Sequence, residues 1–179
     1  MASPRYQDSG VNRSAAEEAI DRIIPILKRT HGPNVLDGIG GFSALYQLSG
    51  FNDPILVSST DGVGTKLKLA IELSKYNTIG EDLVNACLND VIVSGAKPLF
   101  FLDYIAVGSL DPSVIEEIIT GMSLACENSE CSIIGGEMAE MPGLYAKRDF
   151  DLAGFAVGAV ERKKILSPSL GGFVPTNLD

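Results

Sequence analysis

Ile55-Leu-Val-Ser-Ser-Thr-Asp-Gly-Val-Gly-Thr-Lys66 decides the reading of this chain. Its first six residues, Ile55–Thr60, are rich in aliphatic and β-branched side chains and predict a strand. They run without a spacer into Asp61-Gly62-Val63-Gly64-Thr65-Lys66, and apolar residues then recur at helical spacing from Leu67 to Leu73. Strand, glycine turn and helix in direct succession form the local unit of a sheet with helices packed on it. The alternation continues in both directions. Upstream, Ser14 and Glu17 have the spacing of a capping box, and Ala16, Ala19, Ile20, Ile23, Ile24 and Leu27 mark an amphipathic helix. Pro25 should kink that helix, Gly32-Pro33 should stop it, and His31 suits its negative C-terminal end or solvent. Downstream, residues 79–94 predict a largely buried helix and Leu99–Val107 a strand. Asp111 before Pro112 starts a helix that runs to about Asn128. Cys131–Ile134 predicts a strand ending at Gly135-Gly136-Glu137, and Asp151–Val160 the last strand. The expected fold is α+β, or α/β in two layers, with a mixed sheet packed against helices. Leu99–Ile105 and Phe155–Val160 are more apolar than a solvated sheet tolerates, so a partner subunit should cover one face or edge.

Length and charge narrow the function. The chain has 179 residues, enough for one buried core, and 14 Lys and Arg against 23 Asp and Glu give a net charge of −9. Such a balance argues against binding a nucleic-acid backbone, yet permits nucleotides that come with Mg²⁺. The three cysteines, Cys87, Cys126 and Cys131, lie in apolar patterns and read as core. Their odd number, with no secretory signal at Met1–Arg5, fits the cytoplasm. No stretch approaches the roughly 20 apolar residues of a membrane span. Ser167–Asp179 is turn-rich and aperiodic, so 1–165 reads as the folded domain and 166–179 as an irregular tail.

Three segments could carry chemistry. Asp61–Lys66 matches neither the Walker spacing nor G-x-G-x-x-G, but a glycine turn before a helix N-terminus suits phosphate. Lys66 adds a cation there and Asp61 an oxygen ligand for Mg²⁺; the plainer reading is a strand–helix junction. Asn89-Asp90 interrupts an apolar helix, and a buried carboxylate must be paired, protonated or bound to a cation. Glu137 follows Gly135-Gly136 at a strand's end, a favoured ligand position, or else belongs to an ordinary acidic loop. Asp61, Asp90 and Glu137 together have the hard-oxygen chemistry of Mg²⁺–nucleotide sites. The single histidine leaves no Ser/His/Asp or Cys/His arrangement, so phosphoryl transfer by placement and charge neutralisation is the chemistry indicated.

The segments Tyr6–Val11, Gly38-Ile-Gly-Gly-Phe42, Ser59–Lys66, Asn89–Ala96, Pro98-Leu-Phe-Phe-Leu-Asp-Tyr104, Gly135–Gly143 and Asp151–Gly158 resemble, in order, the phosphoribosylformylglycinamidine cyclo-ligase (AIR synthetase) family. Single elements recur in a wider ATP-binding superfamily that includes formylglycinamide ribonucleotide amidotransferase, selenophosphate synthetase, thiamine-monophosphate kinase and a hydrogenase maturation protein. Pro98–Tyr104 and the Glu140-Met-Pro-Gly143 ending separate the cyclo-ligases from these. The resemblance implies ATP-dependent closure of formylglycinamidine ribonucleotide to 5-aminoimidazole ribonucleotide, ADP and phosphate, in purine biosynthesis. It implies Asp61, Asp90 and Glu137 as Mg²⁺–ATP ligands, and Gly62, Val63, Gly64, Thr65 and Lys66 around the phosphates. Asn89 is a nucleotide-binding candidate nearby, Lys66 and Asp103 are catalytic candidates, and Gly40, Gly41 and Phe42 line the nucleotide or substrate pocket. It also implies a homodimer whose sheets join into a barrel, and a second, C-terminal domain that is absent here. Gln7 and Met138 depart from the lysine and threonine usual at those positions. A non-catalytic ATP-binding or dimerisation module is the alternative expectation.

Overall fold

A computed structural model describes residues 11–37, 39–41 and 43–166. The expected arm up to Gly10, Gly38, Phe42 and the tail from Ser167 lie outside the described residues. The elements are α1 (Arg13–Lys28), β1 (Val35–Asp37), β2 (Leu45–Tyr46), β3 (Pro54–Gly62), α2 (Lys66–Leu73), α3 (Asn77–Ile92), β4 (Lys97–Val107), α4 (Pro112–Asn128), β5 (Ser132–Glu140) and β6 (Phe150–Glu161), with a short 3₁₀ turn at Arg162–Lys164. β3, β6, β4 and β5 form a four-stranded sheet in that order, antiparallel at β3–β6 and β6–β4 and parallel at β4–β5. The α+β reading with a mixed sheet therefore holds. β1 and β2 pair separately as a small antiparallel sheet that the sequence did not announce.

α1, α3 and α4 cover one face of the sheet, and the core lies between them. Leu83, Val84, Cys87, Leu88 and Val91 of α3 are buried there with Ile118, Ile119 and Met122 of α4. Phe101 and Ile105 of β4 meet them from below. All three cysteines are buried and free, as their apolar settings required. α3 and α4 touch backbone to backbone. A Cβ on Gly80 would fall 2.1 Å from the Ile118 carbonyl oxygen, and one on Gly121 would fall 1.7 Å from that of Asn77. Among the described residues the opposite face of the sheet has no helix on it, and Leu56, Tyr104 and Phe155 are 63%, 39% and 40% exposed there.

Several boundaries differ from expectation. The cap of α1 is Asn12, whose side chain accepts from Ala15 N–H, and no Ser14–Glu17 box forms. The helix ends at Lys28, ahead of Gly32-Pro33, because the chain turns there to join β5. Ser132 Oγ donates to the Thr30 carbonyl at 2.8 Å, and Ile133 N–H donates to Thr30 Oγ1 at 2.9 Å. His31 Nε2 lies 2.8 Å from the Ile133 carbonyl; a carbonyl only accepts, so Nε2 carries the proton. His31 thus pins a strand, contrary to a dipole or solvent role. β5 runs on through Gly135-Gly136-Glu137 to Glu140 because parallel pairing with β4 continues over those residues. Glu140 then accepts from the backbone N–H of Asn12 and Leu110, tying α1 to the β4–α4 turn.

The contact between α3 and α4 predicts that Gly80→Ala costs about 2–3 kcal/mol or more, since backbone rather than a side chain must move. Gly121→Ala should cost a similar amount. The double variant should lose less than the sum, because one separation of the helices relieves both clashes. Urea unfolding of the three variants measures this.

Candidate functional site

Two groups of predicted residues lie at opposite edges of the sheet. At the β3 edge, Asp61 and Gly62 are the last two residues of the strand rather than the start of a loop. Asp61 Oδ1 accepts from Gly62 N–H at 2.7 Å. Gly64 takes φ +71°, and the chain enters α2 through Leu67 N–H to Gly64 and Lys68 N–H to Thr65 carbonyl bonds. The positive φ is what requires a glycine at 64. Lys66 Nζ pairs with Asp82 Oδ2 of α3 at 2.9 Å. Asn89 and Asp90 are exposed, not buried as the apolar run around them suggested, because they lie on the side of α3 turned from the core, whereas Leu88 and Val91 of the same turn are buried. Asp90 Oδ2 accepts from Ser59 Oγ at 2.9 Å. Ser59 lies two residues before Asp61, so both point to the helix-bearing face, where Cys87 lies within the field of both carboxylates. Burial pushes the Cys87 thiol up to about 11, so it stays protonated and inert.

At the β5 edge, Gly40 and Gly41 approach Asp103, Gly135, Gly136 and Glu137. Cavities of about 800 and 290 Å³ lie on the two sides of this strand, and both are lined by Gly40, Asp103 and Gly135–Glu137. Tyr46 of β2 lines the larger one and stacks at a tilt on Phe100, with ring centroids 5.3 Å apart. Asp103 keeps a little solvent contact but is closely ringed by protein. Burial raises its carboxyl from 3.8 to about 7, with the charge of Glu137 adding to the rise. Gly136 makes room for that carboxyl: a Cβ at 136 would fall 2.3 Å from Asp103 Oδ1.

The pairing register shows what meets and what does not. Asp61, Gly154, Asp103 and Gly136 form one row across the sheet. Asp61 and Asp103 therefore share a face but stand two strands, or about 10 Å, apart. Glu137 belongs to the next row, with Tyr104, Ala153 and Gly62, and three strands, about 14 Å, separate it from β3. Asp61 and Asp90 are thus brought together, whereas Glu137 and Asp103 lie apart from them and from Lys66. Among the described residues no three His, Cys, Asp or Glu side chains gather as a metal site. Two exposed carboxylates near each other do match Mg²⁺, which keeps several waters and takes one or two protein carboxylates. Sequence reading missed Ser59 and Tyr46. Ser59 was within reach, since period-two alternation from Asp61 puts it on the same face; Tyr46 was not, because only the β1–β2 pairing carries it to Phe100.

Comparison with known proteins shows the family of the chain. Residues 43–160 match the family described as AIR synthase related protein, N-terminal domain, and the chain belongs to that family. Phosphoribosylformylglycinamidine cyclo-ligase of Finegoldia magna is 56% identical over 166 residues, covering 92% of this chain and 49% of that protein. The protein of the same name from Xylella fastidiosa is 54% identical over 165 residues, covering 92% and 47%. The chain spans about half the length of the curated relatives it matches. Among solved structures, thiamine-monophosphate kinase from Stenotrophomonas maltophilia superposes with a TM-score of 0.61 at 21% identity, covering 83% of this chain and 43% of that one. Hydrogenase maturation protein HypE in complex with ATP gives 0.55 at 21% identity, covering 87% and 44%. At such identities these two show a shared fold. No helix among the described residues is long and apolar enough to cross a membrane.

The raised Asp103 carboxyl has a consequence for stability. A group protonated more readily in the folded state contributes stability at low pH that is lost as pH rises from 3.8 to about 7. Asp103→Asn removes that loss. The variant should gain on the parent steadily across this window and hold its advantage above it, as read from urea midpoints against pH.

Proposed function

We propose that the chain is the N-terminal half of an ATP-dependent cyclo-ligase that converts formylglycinamidine ribonucleotide to 5-aminoimidazole ribonucleotide, ADP and phosphate. The observation that carries this reading is identity of 52–56% to phosphoribosylformylglycinamidine cyclo-ligases over nearly the whole chain. In such a reaction ATP phosphorylates the formyl-amide oxygen, the amidine nitrogen attacks the activated carbon, and phosphate leaves. It needs placement and charge neutralisation more than a strong base, which suits a site of carboxylates, a lysine and glycine turns. Asp61 and Asp90 would hold Mg²⁺, which supplies charge neutralisation at the transferring phosphoryl group. The Gly62–Lys66 turn lies beside them for the phosphates, and Lys66 can release Asp82 to meet a phosphate oxygen. Cytoplasmic location follows from the same assignment.

The apolar, uncovered sheet face supports a homodimer in which two sheets close on each other. Among the described residues β3 and β5 are the edges of the sheet, and they run in the same direction. If β5 of one protomer lies beside β3 of its partner, Glu137 of one chain, on the open face, comes to the same seam as the Asp61–Asp90 pair of the other, on the helix-bearing face. The three carboxylates that are separate within a chain would then gather at one seam across the dimer. The half-length match favours a second reading, a module that binds ATP and dimerises without turnover.

Asp61→Ala and Glu137→Ala should each abolish cyclisation in the enzyme that contains this half; full activity in both would overturn the site. Mixing the two dead variants should restore about a quarter of the activity, since half the dimers are mixed and each carries one intact site. No recovery after subunit exchange would argue for sites within single chains. Sedimentation at micromolar concentration should give a dimer, and Phe155→Glu on the open face should give a monomer. Calorimetry with Mg-ATP on this chain tests the binding that both readings require, and a cyclisation assay of the full-length enzyme that contains it separates them: binding without turnover there is the module alone.

A further inference from the structure

The end of α4 closes in a hydrogen-bond pattern that brings two cysteines together. Ser129 caps the helix, Glu130 N–H donates to the Glu127 carbonyl at 3.3 Å, and Cys131 N–H donates to the Cys126 carbonyl at 2.9 Å. Glu130 takes φ +52°. These are the two bonds and the left-handed residue of a Schellman cap. In that motif the side chain third from the helix end packs on the one two places beyond the cap. Here those residues are Cys126 and Cys131, and their thiols are hydrogen-bonded to each other. That bond, and burial after it, raise the Cys126 thiol far above its ordinary range. Glycine is the usual residue at the left-handed position; Glu130 occupies it with its carboxylate 2.8 Å from Lys97 Nζ. The chain is fixed on the far side too, where Ser132 and Ile133 bond to Thr30. Both thiols are buried, yet both line a cavity of about 580 Å³. Arg29 and Lys97 share its wall with side chains 56% and 60% exposed, so the cavity is open to solvent.

We propose that Cys126 and Cys131 are a redox modification site, a dithiol that a low-molecular-weight disulfide oxidises to an intramolecular disulfide across the cap of α4. Cys131 lies six residues before Glu137, about 20 Å along the strand, so this site is separate from the candidate nucleotide site. The reaction is two successive thiol–disulfide exchanges. Cys131 gives its proton to solvent, and its sulfur attacks one sulfur of the small disulfide, whose other half leaves as a thiolate. The Cys126 sulfur then attacks Cys131 in the mixed disulfide, expels the second small thiolate and releases its own proton to solvent. Two protein thiols are oxidised, and one small disulfide is reduced to two thiols. The order follows from the contact, since Cys126 is the sulfur that holds its proton. Closure asks for side-chain rotation rather than backbone movement, because the cap already sets the two residues side by side. In a reducing compartment such a bond is transient and follows the redox state.

The test is to incubate this chain with glutathione disulfide, denature it, alkylate it with N-ethylmaleimide and weigh it. The parent should lose two alkylatable thiols, keep Cys87 and carry no glutathione, and dithiothreitol should restore all three thiols. Cys126→Ala should retain glutathione on Cys131, and Cys131→Ala should react at Cys126 about tenfold more slowly or worse. Three alkylatable thiols in the treated parent, or glutathione left on it, would overturn the proposal and reduce the pair to a packing contact. Loss of Cys87 at the same rate as the pair would overturn it too, because the reaction would then run through the unfolded chain. The parent's thiol count decides the matter whether or not either variant folds, and circular dichroism shows which of them does.

Discussion

The position of α3 governs the rest of this domain, and it is set by close backbone contact on two sides. Gly80 and Gly121 let it lie against α4 with no Cβ between the backbones. On the sheet side, a Cβ at Gly154 would fall 2.4 Å from the Phe101 ring and 2.9 Å from Cys87 Sγ, and one at Gly158 would fall 2.5 Å from Val91 Cγ1. α3 is therefore wedged between α4 and the β6–β4 pair, with little room to slide. It carries Asp82 to Lys66 and Asp90 to Ser59, so the geometry at the end of β3 follows from how closely this helix packs. A residue added to any of these glycines would act on the site without touching it.

A second constraint comes from the sheet having helices on one face alone. Residues that alternate along β3, β4 and β6 have a buried side and an open side, and the open side is partly apolar. The groups with chemical potential sit at the two edges, where pairing ends and ligands or another subunit can approach. A net charge of −9 opposes an anionic ligand, and in the proposed function the carboxylates at the edges are where a divalent cation would offset that repulsion. The core offers no such compensation: the Cys87 thiol stays protonated, and burial raises the carboxyl of Asp103 at its margin to about 7.

Much of the fold was legible because its signals are local. The strand–turn–helix at Ile55–Leu73, the Asp111–Pro112 start of α4 and the apolar face of α3 each follow from a few neighbouring residues. The errors have long-range causes. β5 continued through two glycines because β4 pairs with them, although glycine weakens a strand on its own terms. α1 stopped early because Thr30 and His31 are taken up by Ser132 and Ile133, about a hundred residues away. Asp90 looked buried because a one-dimensional run of apolar neighbours does not tell which side of the helix each residue in it occupies.

The sequence by itself determined the order of the main strands and helices, most of the buried faces, the family to which the motifs belong and the residue types that could hold a nucleotide. Those depend on periodicity, turn chemistry and composition, all written within short windows. The tertiary structure decided which of the candidate residues are neighbours. It put Asp61 with Asp90, set Glu137 three strands away in the next row, and placed Asp103 on an apolar cavity beside Gly136. Strand order and register make those distances, and they come from packing the whole sheet against α3 and α4, which no local stretch of the chain encodes.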